Sequence, residues 1–333
     1  MIDLWVELSQ ENLPLAELEL DSALGAIGGR LLPDHLLPSV VRAEVTLEAD
    51  ALALAGRLAL ARRILRRWPE RDALEIGRRL ERDVRLGDRV AFRTVGRPGP
   101  KPLDVALDIW AGCLRRAGGT IDLDAPNRRF RFAGNATDGW EFAEEIAEID
   151  RRSFDARRMP TLPYRRPVSL APRLGRVAAN LARLRPGDRV VDPFVGTGAL
   201  AIECALLGAR VTGIDNDATM ARGALANFEH LGVTAESIVV ADAEAVGPDG
   251  AYDAIVTDPP YGRASPTGGE LTEELTRRVV THWARAVRPG GRLVIVQPGG
   301  ADPVGSPWRR TAAIPDRVHR SLTREFRVYA QAP

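Results

Sequence analysis

Apolar and polar positions change rhythm twice along this chain. In the first seventy residues, segment 40–47 places apolar residues at every second position. Segments 2–8 and 62–68 also read as strands, while 13–26 and 50–60 carry the longer period of helices. A short strand near 29–32 completes a β-α-β-β-α-β order, the ferredoxin-like arrangement. Segment 71–85 is then an amphipathic helix, 89–95 a strand, 98–102 a turn-rich break and 103–117 a helix, with short strands at 121–123 and 129–132. Segment 155–168 holds three prolines and reads as a linker. From Pro172 onward, short β-branched strands at 189–191, 210–214, 237–240, 254–256 and 292–296 alternate with helices at 200–207, 218–231 and 271–287. Such alternation implies a doubly wound, mostly parallel sheet with ligands at the C-terminal strand ends.

Composition adds limits. The 333 residues are 45% hydrophobic and 27% charged, enough for more than one buried core. No run of 18 apolar residues occurs, which excludes a membrane-spanning helix, and no secretory signal is expected at the N-terminus. Cys113 and Cys204 are far apart and lack histidine neighbours. Neither a disulfide framework nor a metal site is expected from them, and a reducing cytoplasm is.

Charge changes the picture more. A net charge of +1 hides a balance of −8 over residues 1–56 and +9 over 57–131. Lys101 is the only lysine, so the basic residues are almost all arginine. Genome composition accounts for the choice of arginine but not for its concentration in one segment. A basic patch attracts phosphates, and arginine adds bidentate geometry.

The first chemical signal is Asp192-Pro-Phe-Val-Gly196-Thr-Gly198, where a strand turns into a helix. Glycines there let backbone approach a ligand, and a helix N-terminus favours an anionic group. The spacing Gly196-Thr-Gly198-Ala-Leu-Ala201 also fits a dinucleotide site, so glycines alone leave NAD open. Asp215, ending the second strand, can accept both ribose hydroxyls of an adenine-containing cofactor. Asp242, ending the third, can receive the adenine amino group. Alone, each acid serves equally well as a helix cap. Three acids at three successive strand ends, with Asp192 before the glycine turn, suit a ligand carrying ammonium and sulfonium charges. That points to S-adenosylmethionine.

The second signal is Asp258-Pro259-Pro260-Tyr261, after the fourth strand. It resembles the D/N-P-P-Y/F motif of methyltransferases that modify exocyclic amines. Such an amine is a poor nucleophile because its lone pair is delocalised into the ring. Hydrogen bonds to the Asp258 carboxylate and the Pro259 carbonyl would localise that pair, and Asp258 could take the departing proton. Prolines bring no competing N–H. Tyr261 can stack on a base extruded from its helix.

With these residues in place, the chain resembles the THUMP-domain tRNA methyltransferases, specifically the archaeal type acting on N2 of the guanosine at tRNA position 10. Gly119-Thr-Ile-Asp-Leu-Asp-Ala-Pro126-Asn127 looks like the end of a THUMP domain, with Asn127 in place of the usual acid. The stretch Glu148–Arg158 is similar to the family's joining segment. Pro163-Tyr164-Arg165-Arg166-Pro167-Val-Ser169-Leu170 resembles its R-P-F-F-H-P-x-S-M signature, with Tyr164, Arg165 and Arg166 departing from it. In the family this segment closes over the cofactor, which implicates Pro167, Ser169 and Leu170. Val318-His319-Arg320-Ser321-Leu322-Thr323-Arg324 matches the V-H-x-S-L-T-R string, although the same segment also reads as the closing hairpin of the fold, with His319 a packing residue that stays outside the site.

The resemblance implies an N-terminal ferredoxin-like domain (1–69), a THUMP RNA-binding domain (70–154), a linker (155–170) and a Rossmann-like class I methyltransferase domain (171–333). The expected catalytic residues are Asp258, Pro259 and Tyr261. The expected cofactor site is Pro167, Ser169, Leu170, Asp192, Phe194, Gly196, Thr197, Gly198, Asp215, Asn216, Asp242, Ala243 and Asp258. Arg78, Arg79, Arg82, Arg85 and Arg263 are expected to contact RNA. The expected partners are tRNA and, as in some relatives, a small zinc-binding activator, with the chain a monomer or heterodimer away from membranes. Other readings stay open here. They are an amino-methyltransferase acting elsewhere in tRNA, on rRNA, DNA or protein, a non-catalytic RNA-binding protein, and an NAD oxidoreductase.

Overall fold

The computed structural model describes residues 1–331 apart from 97–102, 136, 167–168, 246, 261–271, 301, 303 and 321; at 103, 104, 159, 272 and 273 it describes backbone alone. The chain forms two compact units. One comprises Met1–Gln10, Gly28–Gly56 and Ala61–Ile149, and the other Glu11–Ile27, Arg57–Leu60 and Asp150–Pro333.

The elements up to residue 148 run β1 (Ile2–Leu8), α1 (Leu13–Ile27), β2 (Arg30–Leu37), β3 (Val40–Val45), α2 (Glu48–Arg57), β4 (Ala61–Arg67), α3 (Ala73–Asp83), β5 (Arg89–Thr94), α4 (Leu103–Arg116), β6 (Thr120–Ile121), β7 (Arg128–Asn135) and β8 (Gly139–Glu148). Their strands make one eight-stranded sheet in the order β2-β3-β1-β4-β8-β7-β5-β6. The first four have the ferredoxin-like order, and all their pairings are antiparallel. The resemblance implies a domain boundary at residue 69. In the structure β4 pairs with β8, so one sheet crosses that boundary.

β8 has no counterpart among the elements read from sequence. Its acids answer arginines on the flanking strands: Glu141 pairs with Arg67 at 2.9 Å, and Glu144 with Arg66 at 3.0 Å and Arg128 at 2.7 Å. Much of the positive excess in 57–131 is therefore matched inside the sheet. Beneath α3 and α4, Trp68, Trp110, Phe130, Phe132, Trp140 and Phe142 form an aromatic core. Edge-to-face pairs such as Trp110 with Phe132, with ring centroids 5.0 Å apart, fix its packing.

In the second unit follow α5 (Pro172–Leu181), β9 (Arg189–Asp192), α6 (Ala199–Leu206), β10 (Arg210–Asp215), α7 (Ala218–His230), β11 (Ser237–Val240), β12 (Tyr252–Thr257), α8 (Thr272–Trp283), β13 (Val287–Pro298), β14 (Trp308–His319) and β15 (Leu322–Gln331). The sheet order is β11-β10-β9-β12-β13-β15-β14. The first five strands are parallel, as the strand–helix alternation predicts, and β15 and β14 close the sheet antiparallel. Chain order reverses between β9 and β12, which opens a crevice beyond their C-terminal ends. Against this sheet pack Trp283, Trp308 and Tyr329 with the buried aliphatics of β12 and β13.

α1 belongs to this unit by its contacts. Its Glu19 is fully buried and accepts from the Ala59 and Leu60 amides at 2.9 and 2.8 Å and from Asn180 Nδ2 at 2.8 Å. Burial raises its pKa, and these bonds oppose the rise. The expected linker also begins inside ordered structure. Residues Arg151–Arg157 form 3₁₀ turns, and Arg157 reaches the buried Glu203 of α6 at 2.6 Å, alongside Arg176 of α5.

Candidate active site

The crevice takes its residues from strand ends, where the backbone leaves the ladder and side chains turn outward. At the end of β9, Asp192 is 2% exposed. Its Oδ1 accepts from the Phe194 amide at 3.1 Å and from the Thr257 hydroxyl at 2.8 Å. Burial pushes its pKa up to about 7; the two hydrogen bonds oppose this, while nearby Asp215 adds to it. Buried in an apolar setting, this carboxyl suits a cationic neighbour.

The glycine turn follows directly. Gly196 and Gly198 have φ of 53° and 80°, left-handed values that disfavour any side chain. Gly198 also lies close to α7, where an added Cβ would come within 3.3 Å of Ala224 and Phe228. Asp215, ending β10, accepts from the Gly196 amide at 3.0 Å and the Asp217 amide at 2.9 Å. Its pKa is raised by burial against those bonds. One acid thus fixes the turn and stays half-buried at the crevice.

Thr197 joins the turn to the segment before α5: its hydroxyl lies 2.8 Å from that of Ser169. Asn227 of α7, fully buried, donates to Thr197 O at 2.9 Å and to Tyr164 O at 3.0 Å, and accepts from the Tyr164 amide at 3.0 Å. Sequence motifs single out Ser169 and Thr197 but not Asn227, which sits in mid-helix with no motif around it. Leu170 is buried beside them, while Pro167 lies outside the described residues.

Other expected residues are placed less centrally. Asn216 and Asp242 are exposed, and Asp242 Oδ1 accepts the Glu244 amide at 2.8 Å, the bond of a turn cap. Phe194 and Ala243 pack against the core that contains Trp283, and the Ala243 carbonyl accepts from the Trp283 indole at 2.7 Å.

Beyond β12, Asp258 is half-buried and Pro259 buried. Asp258 Oδ1 is sealed from solvent and has no hydrogen-bond partner among the described residues. Burial pushes the carboxyl up to about 7; Arg324 pulls it down and Asp192 pushes it further up. An orphaned buried acceptor calls for a donor from a ligand. In the sequence, Arg324 stands within a matching string but carries no assigned role. Tyr261 and Arg263 lie outside the described residues.

These residues fit S-adenosylmethionine: carboxylates at two adjacent strand ends for cationic and hydroxyl groups, glycines permitting close approach, and an orphaned acceptor beyond the next strand. In the first unit, an open cavity of about 380 Å³ is lined by Arg66, Trp68, Arg79, Arg82, Arg85 and Arg128, with Asp83 and Glu144. Arg78, Arg82 and Arg85 are exposed on or beside α3. Arg79 is committed elsewhere, stacked 4.2 Å over Trp68 and paired with Glu70 and Asp83.

Residues 161–304 match the family described as UPF0020, RMKL-like, methyltransferase domain. The tRNA (guanine(10)-N2)-dimethyltransferase of Methanothermobacter thermautotrophicus is 36% identical over 211 residues, 62% of each chain. The protein of the same name from Pyrococcus abyssi is 34% identical over 228 residues, 66% of each. The chain thus spans less than two thirds of the length of these relatives. TrmN from Thermus thermophilus, known from a crystal structure, aligns over 99% of both chains with a TM-score of 0.50 at 21% identity, a likeness of fold.

Proposed function

We propose that this chain, which carries an RMKL-like methyltransferase domain over residues 161–304, transfers methyl from S-adenosylmethionine to the N2 amine of a guanosine in tRNA, at position 10. The observation that carries the reading is the orphaned, buried Oδ1 of Asp258 in the Asp-Pro-Pro sequence beyond β12.

S-adenosylmethionine, when bound, supplies an electrophilic methyl carbon. We assign Asp192, the Gly196–Gly198 turn, Phe194, Thr197, Ser169, Leu170 and Pro167 to holding its methionine end. Asp215 and Asn216 would take the ribose, and Asp242 and Ala243 the adenine. Asp258 Oδ1 and the Pro259 carbonyl would accept from the two N2 hydrogens and draw the nitrogen lone pair out of the ring, with Tyr261 stacked on the base. As the nitrogen–carbon bond forms, the amine loses one proton, which Asp258 can hold because burial has raised its affinity for it.

Residues 70–154 would grip the tRNA as a THUMP unit through Arg78, Arg82, Arg85 and neighbours, with Arg263 near the base. Phosphate contacts would supply most of that grip. No described helix is long and apolar enough to cross a membrane. We place the activity in the cytoplasm, performed by the monomer or with a small zinc-binding activator as second subunit.

The test is to incubate the purified chain with labelled cofactor and two unmodified tRNA transcripts, one with guanosine and one with adenosine at position 10. The expected product is N2-methyl- or N2,N2-dimethylguanosine from the first transcript only. Label in both transcripts, or a different methylated nucleoside, contradicts the reading. Activity appearing only when an activator is added selects the heterodimer.

A further inference from the structure

The geometry points to Arg324 as a positioning residue for Asp258, a buried cation that favours the carboxylate form, the form able to accept the amine hydrogens. The inference rests on the methyl-transfer reading of the site and adds to it a residue outside the Asp-Pro-Pro-Tyr motif.

Strand order brings the two residues to the same end of the sheet, on either side of β13. Val256 of β12 is level with Val294 of β13, and Asp258 follows Val256 by two residues. Pro298 follows Val294 by four and is the cross-strand partner of Arg324. Asp258 and Arg324 thus flank the C-terminal end of β13, one on each side. Both are withdrawn from water. Arg324 is 9% exposed, and its Nε, like Asp258 Oδ1, is buried without a partner among the described residues. A buried donor and a buried acceptor thus flank the end of β13, neither with a partner among the described residues.

The charges acting on Asp258 explain why a cation is needed. From β9 comes Asp192, a second buried acid that disfavours ionisation, and burial works in the same direction. From β15 comes Arg324, the opposing positive charge. Asp316 of β14 is the cross-strand partner of Arg324 on the other side of β15. A protonated Asp258 would present a hydroxyl to an amine that is itself a donor, and the lone pair would stay in the ring. Arg324 does not need to touch the substrate to prevent this.

The test uses the full chain with Arg324→Met and Arg324→Lys. Single-turnover methyl transfer to tRNA is measured across pH with cofactor and tRNA saturating. For Arg324→Met the acid limb of the rate–pH profile should move up by about one pH unit or more, with the rate recovering at high pH. Arg324→Lys should restore most of the native profile, and sinefungin binding should persist in both. A loss of rate that is uniform across pH would assign Arg324 a packing role and overturn the inference. A second measurement is independent of activity: the carboxyl resonance of Asp258 in carbon-13-labelled protein, assigned by its disappearance in Asp258→Asn. Its titration midpoint should rise in Arg324→Met, or in Arg324→Gln if the Met variant does not fold. An unmoved midpoint overturns the inference. A native chain that methylates no tRNA overturns the underlying reading instead, and the resonance still decides the role of Arg324.

Discussion

Thr257 and Asp192 end neighbouring central strands, and the Thr257 hydroxyl donates to Asp192 Oδ1 at 2.8 Å. This bond crosses the point where chain order reverses, so it ties the strand that leads into the glycine turn to the strand that delivers Asp258. Replacing the hydroxyl by a methyl removes a buried donor from a buried acid. Thr257→Val should lower stability by about 1–3 kcal/mol. Urea denaturation of the two proteins at pH 7 measures it, and equal midpoints would show the bond to be dispensable.

Asp192 also gives stability a pH dependence. Its pKa is about 7 in the fold and near the ordinary aspartate value when unfolded, so between those values the folded state holds the extra proton. Its contribution is fully present below the unfolded pKa and is lost as pH rises through about 7. Asp192→Asn cannot titrate. The stability of the native chain relative to this variant should fall from pH 5 to pH 8 in the ligand-free state, as measured by denaturant unfolding at each pH. A constant difference contradicts the assignment.

Asn227 holds Tyr164 and Thr197 together through three hydrogen bonds from one buried amide. Asn227→Leu should release the segment before α5 from the glycine turn. Sinefungin affinity should fall by about tenfold or more, the equivalent of roughly one net hydrogen bond. Isothermal calorimetry gives the value, and an unchanged Kd would separate this segment from the cofactor.

On the first unit, Arg78, Arg82 and Arg85 are exposed and Arg79 is not free. Charge reversal at the first three should weaken tRNA binding. It should also flatten the salt dependence, by about 0.9 in the log–log slope for each phosphate that is no longer neutralised. Cofactor affinity should be unaffected. Arg79→Glu instead breaks the stack on Trp68 and should show first in thermal unfolding. If the triple variant binds tRNA as the native chain does, α3 is not part of the docking surface.

Those contrasts show where sequence was informative. The parallel strands β9 to β12 and the 292–296 part of β13 were legible because each is a short β-branched run, and Asp192, Asp215 and Asp258 stand at or just past the ends of β9, β10 and β12. β8 was not. Its Glu-rich sequence Glu141-Phe-Ala-Glu-Glu-Ile has no apolar partner pattern of its own, and its acids make sense only against the arginines of β4 and β7. The positive excess of 57–131 looked like one basic surface for the same reason. α5 was not legible either; the closing hairpin around 318–324 was, but not the placement of Arg324, which depends on register three strands away from β9. Asp242, just past β11, is exposed and accepts the Glu244 amide.

The most direct measurement is methyl transfer by Asp258→Ala, with sinefungin binding followed on the same preparation. The account predicts that cofactor binding persists while transfer to unmodified tRNA falls by at least about a hundredfold, the usual contribution of a positioned acid–base group. Transfer at the native rate with binding intact would contradict it.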